Sequence, residues 1–441
     1  MSKVGIRHED KYLLERRVAI TPSHVKKLIE EAGLEFYVQS SAKRIFKDEE
    51  YEAAGAHIVD EFPEDVKTIF GVKEMPLDFF RKGDTVIFFS HTIKGQSYNM
   101  PMLRRMKEKK VNLIEYERIT DDKGRRLIFF GRFAGLAGAI NSLWSLGQRL
   151  NLKGIENPFS VIKQAHKYHS LQEARDVIKS VGEQIGEKGL DESIAPLVIG
   201  ITGYGNVSKG AQEILDLLPV KEISADDLVN LKLDKKDNHF IYKVIFKESD
   251  LSEPVNPNHK FELQDYYDHP EKYKNKFERY VPKLSLLLNC MYWTPKYPRI
   301  ITKDFLYEHY KSGEARLEVI GDITCDPDGS IECTHMGTLI QDPVFVYNPY
   351  TRQPSMGFEG EGLLIMAVDI LPSELPRDSS IAFGDALYPF VEAIAKADYS
   401  KPFDELDLPP EIKRAMILHK GKLTPDYQYI NKYLKSINMN H

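Results

Sequence analysis

Pro196-Leu197-Val198-Ile199-Gly200-Ile201-Thr202-Gly203-Tyr204-Gly205-Asn206-Val207-Ser208-Lys209-Gly210 decides how this chain is read. An apolar run of strand character meets a glycine-rich loop, and Ala211–Leu218 continues it as a helix. Strand, glycine turn and helix in that order give the pattern G-x-G-x-x-G its meaning. Gly203 and Gly205 permit a tight turn and the close approach of a pyrophosphate. Its charge then lies against free N–H groups at the helix start, and Asn206, Val207 and Ser208 of the loop are further cofactor-binding candidates. Ser208 stands where the third glycine is expected and is small enough to keep helix and strand close. An acid about 20 positions further on takes the ribose 2′-OH of NAD. Glu222 is near that place, but Asp226 and Asp227 follow it and the loop offers Lys209, so these residues leave NAD or NADP open.

Outward from this stretch, strand-like and helix-like runs alternate. Upstream the strand-like runs are Val4–Arg7, Phe36–Gln39, Ala56–Val59, Thr68–Val72, Thr85–Phe89 and Val111–Tyr116. Thr21 and Pro22 open a helix that Gly33 ends, and Pro101–Lys110 forms another. Such alternation predicts a mostly parallel α/β sheet. Ala134–Leu150 reads as a helix rich in small residues, suited to packing between two domains, and Lys163–Lys188 is a charged helical stretch. Residues 230–283 are polar and aromatic and read as a surface insertion rather than sheet core. Apolar runs resume at Leu284–Leu288, Leu317–Ile320 and Leu363–Val368, and the last ~60 residues read as helical.

Size and composition narrow the classes. The 441 residues suffice for two or three domains. Hydrophobic content of 42% and charged content of 29% describe an ordinary globular chain. A net charge of −6, with the signs interspersed, argues against a general nucleic-acid or membrane-surface binder. No apolar run approaches the ~20 residues that cross a bilayer. The N-terminal residues show no secretory h-region, which gives a cytoplasmic expectation. Cys290, Cys325 and Cys333 form no CxxC pair and fit reduced thiols. No metal site is expected: Thr324–Glu332 resembles a calcium loop but lacks its first and twelfth ligands. His166 and His169 lack a third partner nearby in sequence.

Two further stretches carry chemistry. In Gly71-Val72-Lys73-Glu74-Met75-Pro76 and Phe89-Ser90-His91-Thr92-Ile93-Lys94, an ionisable group stands where an apolar strand stops. Strand ends are where open α/β sheets build their sites. Alone, Lys73 reads as a surface lysine and His91 as a capped core histidine. Their shared placement, in a chain with a nucleotide loop, makes an acid/base pair the better reading.

The chain resembles the lysine–2-oxoglutarate reductase half of the bifunctional aminoadipic semialdehyde synthases. The resemblance rests on IRHEDKYLLERRVAITPSHVKKL (6–28), GVKEMP (71–76), FFSHTIKGQ (88–96), EYERITDDKGRR (115–126), FGRFAGLAGAIN (130–141) and TGYGNVSKGAQ (202–212). It continues through NCMYW (289–293), GDITCDPDGSIECT (321–334), GDALYPFVEAI (384–394) and GKLTPDYQYI (421–430). The wider group is similar to alanine dehydrogenase, the transhydrogenase nucleotide subunit and the lysine-forming saccharopine dehydrogenase of fungi.

The resemblance implies two Rossmann-like α/β domains with mostly parallel sheets and an active site in the cleft between them. The first is discontinuous, 1–138 with 375–441, and binds substrate. The second, 139–374, binds the dinucleotide and carries the insertion at about 230–283. The implied reaction condenses L-lysine with 2-oxoglutarate and reduces the imine to saccharopine. The implied hydride donor is NADPH, with NAD open. By similarity Lys73 and His91 are the acid/base pair, Arg17 and Arg126 grip carboxylates, and Glu74 and Glu117 face the amines or tune the pair. Lys94 is a cationic neighbour of Lys73, and Asp322 ends the strand beside the nicotinamide. A homo-oligomer is left open. The rivals are an NAD-linked, lysine-forming saccharopine dehydrogenase, a dehydrogenase of smaller oxo acids, and a non-catalytic nucleotide sensor. Two arginines and two glutamates argue for a long, multiply charged substrate, and retention of both Lys73 and His91 argues against a sensor.

Overall fold

The computed structural model of the protein describes residues 2–313 and 315–436. The chain divides into two compact units. One runs to Phe130 and resumes at Pro376, and the other is Gly131–Leu375. The first boundary therefore falls at the start of the Gly131–Leu152 helix rather than at 138. Among the described residues, no helix is long and apolar enough to cross a membrane.

The first unit is built on a twisted sheet of eight strands. Six come from its N-terminal segment: β1 (Lys3–Ile6), β2 (Glu35–Gln39), β3 (His57–Val59), β4 (Thr68–Phe70), β5 (Thr85–Phe88) and β6 (Asn112–Glu115). They lie parallel in the order β6-β5-β4-β1-β2-β3. Every residue of β4, β5 and β6 is buried, as strands covered on both faces require. Met416–His419 adds an antiparallel strand beside β6 and turns back through Lys422–Leu423. The tail is thus helical only in part, and Met416-Ile417-Leu418 completes the sheet edge that a helical reading would leave open.

The Pro22–Ala32 helix starts and stops where proline and glycine place it. Gly33 adopts φ +64° and returns its N–H to the Ile29 carbonyl at 3.1 Å. Thr21 holds the N-cap position without capping: its hydroxyl meets His24 Nδ1 at 2.7 Å. His24 Nε2 in turn reaches Asp385 on the Pro376–Lys396 helix at 2.9 Å, so a tertiary tie has displaced a local one. The returning helix also seats Phe383 among Phe89, Tyr116 and Phe130, stacked on Phe130 at 4.5 Å. Burying such rings contributes roughly 1.5–3 kcal/mol each.

The second unit holds another eight-stranded sheet. Its strands are β7 (Leu197–Thr202), β8 (Val220–Glu222), β9 (Ile241–Phe246), β12 (Leu286–Asn289), β13 (Val319–Asp322), β14 (Val344–Asn348), β15 (Gln353–Met356) and β16 (Leu363–Met366). A small hairpin, β10 (Ser252–Pro254) with β11 (Tyr273–Asn275), stands apart. The order is β15-β14-β16-β13-β12-β7-β9-β8, parallel except at β14 and β15. This corrects the reading of 230–283 as surface insertion. Ile241–Phe246 is a sheet strand paired along its whole length with β7. Its flanks, NHF before and KES after, hide a short strand, IYKVIF, that is buried at every position but Ile245 and has β7 and β8 paired to its two edges. The remainder, 248–283, does lie outside the sheet. There Tyr266 packs with Phe261, Tyr267, Tyr273 and Tyr297.

The small residues of the Gly131–Leu152 helix serve the second unit's own packing. A Cβ on Gly135 would collide with the Val207 carbonyl, and one on Gly210 with the Arg132 carbonyl. The close approach that the fingerprint assigns to its third glycine is made here by Gly210 against this helix. The Asn206–Leu215 helix also begins five residues before the expected Ala211, directly after Gly205.

Candidate active site

In the first unit β1 lies between β2 and β4, so the chain leaves β1 and β4 in opposite directions along the sheet. The crevice at the carboxyl ends of such strands is where open α/β sheets bind ligands. The loop after β1 brings Glu9, Lys11 and Glu15 there, the loop after β4 brings Lys73 and Glu74, and β5 brings His91.

Glu74 is the hub. Its Oε1 lies 2.9 Å from His91 Nδ1 and 2.7 Å from Lys11 Nζ. Burial acts to raise the Glu74 carboxyl, but the bonds from His91 and Lys11 outweigh it and hold the group down at about 2. An ionised carboxylate only accepts, so His91 carries its proton on Nδ1 and presents Nε2 for exchange. Phe89 stacks on the ring at 6.1 Å and fixes its plane. Lys73 Nζ sits 5.7 Å above the Tyr12 ring. Its charge helps Arg17 keep Glu15 low against burial. Beside this group lies a cavity of about 520 Å3 bounded by Asp10, Lys11, Glu74, Tyr98, Asn99 and Met102.

The other expected residues are placed less simply. Arg17 is buried and already gripped by Glu15, at 2.8 Å through Nε and 2.6 Å through a terminal nitrogen, with its plane 4.2 Å from Phe130. Arg126 is 42% exposed and stands 3.6 Å from Glu117. Lys94 is exposed on the turn after His91. Sequence reasoning passed over Glu9, Lys11, Glu15 and Glu115. Their signal was weak because each is a charged residue one to nine positions beyond an apolar run, and only the fold turns it inward.

In the second unit β7 is the strand between the two halves of the sheet, and the glycine loop follows it. Gly203 adopts φ +80°, and a Cβ on Gly205 would meet no atom within 4 Å. The Asn206–Leu215 helix starts there with Asn206, Val207 and Ser208 as its first turn. That open ground before free helix N–H groups fits a pyrophosphate. Ser208 is buried and accepts from Gln212 at 3.0 Å.

The acid expected by the sequence rule stands away from the glycine loop's own neighbour. Glu222 ends β8, the edge strand, and pairs with Lys243 at 3.0 Å. The strand beside β7 is β9, with Thr202 opposite Phe246 and the Gly203 N–H on the Phe246 carbonyl at 2.9 Å. The acid that follows it is Glu248. Its carboxylate accepts from Tyr267 at 2.7 Å and from Tyr204 of the glycine loop at 3.3 Å.

Asp322 ends β13, fully buried. One oxygen takes Asn289 at 2.8 Å and Thr324 at 2.7 Å, and the other takes Thr334. Asn289 in turn accepts from Thr202 at 2.7 Å. Burial pushes the Asp322 carboxyl up against these bonds. The network ties the ends of β7, β12 and β13 behind the loop.

Comparison with known proteins sets the class first. Residues 5–137 match the family model "Alanine dehydrogenase/PNT, N-terminal domain". The fold is shared with L-alanine dehydrogenase, at a TM-score of 0.61 and 16% identity over 98% of this chain and 99% of that one. It is also shared with a transhydrogenase from Sinorhizobium meliloti, at a TM-score of 0.53 and 14% identity over 96% of this chain and 100% of that one.

The chain as a whole is a homologue of the alpha-aminoadipic semialdehyde synthases and of the lysine-forming saccharopine dehydrogenases. It is 39% identical to the Arabidopsis thaliana synthase over 98% of this chain and 42% of that protein. The mitochondrial Mus musculus synthase is 32% identical over 98% of this chain and 48% of that protein. The Emericella nidulans saccharopine dehydrogenase [NAD(+), L-lysine-forming] is 29% identical over 88% of this chain and 91% of that protein. The chain spans about half the length of the synthases it matches.

Proposed function

We propose that this protein condenses L-lysine with 2-oxoglutarate and reduces the product to saccharopine with a reduced nicotinamide nucleotide. The observation that carries the reading is the Glu74–His91 pair beside Lys73 at the strand ends of the first unit, in a chain whose second unit holds a dinucleotide loop. The ε-amine adds to the ketone carbon and gives a carbinolamine. The carbinolamine hydroxyl takes a proton and leaves as water, giving an imine. The nucleotide, when bound, supplies the hydride that reduces the imine carbon.

His91 suits the proton steps because Glu74 fixes its tautomer and leaves Nε2 for exchange. Lys73, which Glu15 faces, is the second proton-transfer group, so acid and base have different intrinsic strengths. Lys11, Arg17 and Arg126 supply positive charge for the carboxylates of 2-oxoglutarate and saccharopine. Arg17 and Arg126 do so by exchanging an internal glutamate for a substrate carboxylate, a bidentate match for a guanidinium.

For the nucleotide, Gly203, Gly205, Asn206, Val207 and Ser208 hold the pyrophosphate. Glu248 takes the adenosine ribose in place of Glu222. A carboxylate accepts hydrogen bonds from a free 2′-OH and repels a 2′-phosphate, so Glu248 supports NAD over the NADP that the resemblance implies. The Emericella nidulans relative, matched over 91% of its length and named as NAD-linked, supports the same choice.

The test is to mix the protein with lysine, 2-oxoglutarate and NADH or NADPH and follow absorbance of the reduced nucleotide. Lysine-dependent oxidation is expected, faster with NADH. Its absence with both nucleotides overturns the reading.

A further inference from the structure

Two buried carboxylates beneath the Lys73/His91 site take no part in the acid–base scheme, yet they do the same thing twice. A strand end leaves backbone N–H groups beyond the last ladder bond, and buried N–H groups need acceptors. Here β4 and β5 separate after Phe89 donates to the Val72 carbonyl at 3.0 Å. Past that point Glu9, from the loop after β1, accepts from Val72 N at 2.7 Å on one oxygen and from Lys73 N at 2.8 Å on the other. Glu115, the last residue of β6, does this for the other strand. One oxygen takes Ser90 N at 2.7 Å, Ser90 Oγ at 2.5 Å and His91 N at 3.2 Å, and the other takes Glu117 N at 3.1 Å. His91 needs the support, because its φ of +50° is a left-handed conformation that a residue with a Cβ adopts only when its surroundings impose it.

We propose that Glu9 and Glu115 are a matched pair of positioning residues, each fixing the backbone of one strand end so that Lys73 and His91 face the same reacting atoms. The proposal rests on the reading of Lys73 and His91 as the proton-transfer pair. Neither glutamate touches substrate in it. Both oxygens of each carboxylate accept, so an amide cannot substitute: one end of a glutamine would turn its own N–H toward a backbone N–H. Charge-assisted bonds of this kind are about twice as strong as neutral ones.

The same geometry makes the device sensitive to pH. Burial pushes both carboxyls up to about 7. Glu9 faces Glu15, Arg7 and Tyr116, and Glu115 faces Glu117, His91 and Tyr116. When either carboxyl gains its proton, an O–H points at a donor and the turn above it loosens.

The test uses E9Q, E115Q and S90A in the full chain. It reads the His91 imidazole titration by NMR of histidine-labelled protein, with H91Q assigning the signal. It also reads the Kd for NADH, and kcat against pH. E115Q is expected to move the His91 titration more than that of any other histidine. E9Q is expected to leave it in place. Both should lower kcat by about 10²-fold, the loss that follows a misplacement of about 1 Å, with the NADH Kd unchanged. S90A, which keeps the backbone bonds, should move the His91 signal in the same direction by less. A folded E115Q with wild-type His91 titration and kcat overturns the proposal. If E115Q does not fold, an unchanged His91 titration in S90A overturns it. The titration is read without substrate, so a protein that fails to turn over lysine sinks the function while the positioning of His91 is still decided.

Discussion

At the scale of the residue, the site turns on one atom. Glu74 Oε1 holds His91 and Lys11 together, and its ionised state sets which imidazole nitrogen is free. His91→Gln and Lys73→Met should each lower turnover by about 10²-fold or more, as loss of a general acid or base does. Steady-state kinetics with lysine and 2-oxoglutarate checks this, and near-normal turnover in both removes them from the role. Glu74→Gln keeps the shape but lets an amide N–H donate to Nδ1, which moves the imidazole proton to Nε2. The expected loss in kcat is about 10-fold to 10²-fold, with little change in NADH binding. Glu248→Ser removes the carboxylate proposed to take the ribose, so fluorescence titration should show NADH binding weakened and NADPH binding strengthened. An unchanged ratio of the two Kd values returns the ribose to another residue.

At the scale of the element, strands were the legible part and their order was not. Thr68–Val72, Thr85–Phe89 and Leu197–Thr202 announce themselves by unbroken apolar runs, and Pro22 and Gly33 bracket their helix. Ile241–Phe246 escaped because Tyr242 and Lys243 interrupt its apolar run and its flanks are polar. That omission carried Glu248 with it, since a spacing rule counts to the next strand in sequence and the sheet places β9, not β8, beside β7. The helix pair Gly131–Leu152 and Asn206–Leu215 makes a further prediction. Gly210→Ala puts a Cβ into the Arg132 carbonyl, which neither helix backbone can avoid without moving. We expect a loss of about 1–3 kcal/mol in thermal or urea unfolding, together with weaker nucleotide binding, because the displaced helix is the one proposed to hold the pyrophosphate.

At the scale of the whole molecule, buried carboxylates shape the pH dependence of stability. Glu9 and Glu115 rise from 4.5 in the unfolded chain to about 7 when folded, so the native state keeps protons that the unfolded state has released. Stability from these groups is therefore full below about pH 4.5 and falls as pH rises to about 7. Half-buried His8 and buried His419, whose protonation desolvation disfavours, act in the opposite sense nearby. The contribution is thus read as a difference: the Tm of the protein minus that of E115Q should rise as pH is lowered from about 7.5 to about 5. Glu74, held at about 2, loses its contribution only as pH falls below 4.5 and toward 2, outside that window.

The amino-acid sequence by itself determined the two α/β sheets, the glycine loop, and the stations of Lys73, Glu74 and His91 at strand ends. These follow from apolar periodicity, chain-breaking residues and short motifs, all of which act over a few neighbouring positions. Only the tertiary structure decided which acid stands beside the glycine loop and that Met416–His419 closes a sheet edge. It also decided that Glu9 and Glu115 lie buried against the backbone of Lys73 and His91. Those facts depend on strand order and on burial, which join residues far apart along the chain and leave no local pattern to read.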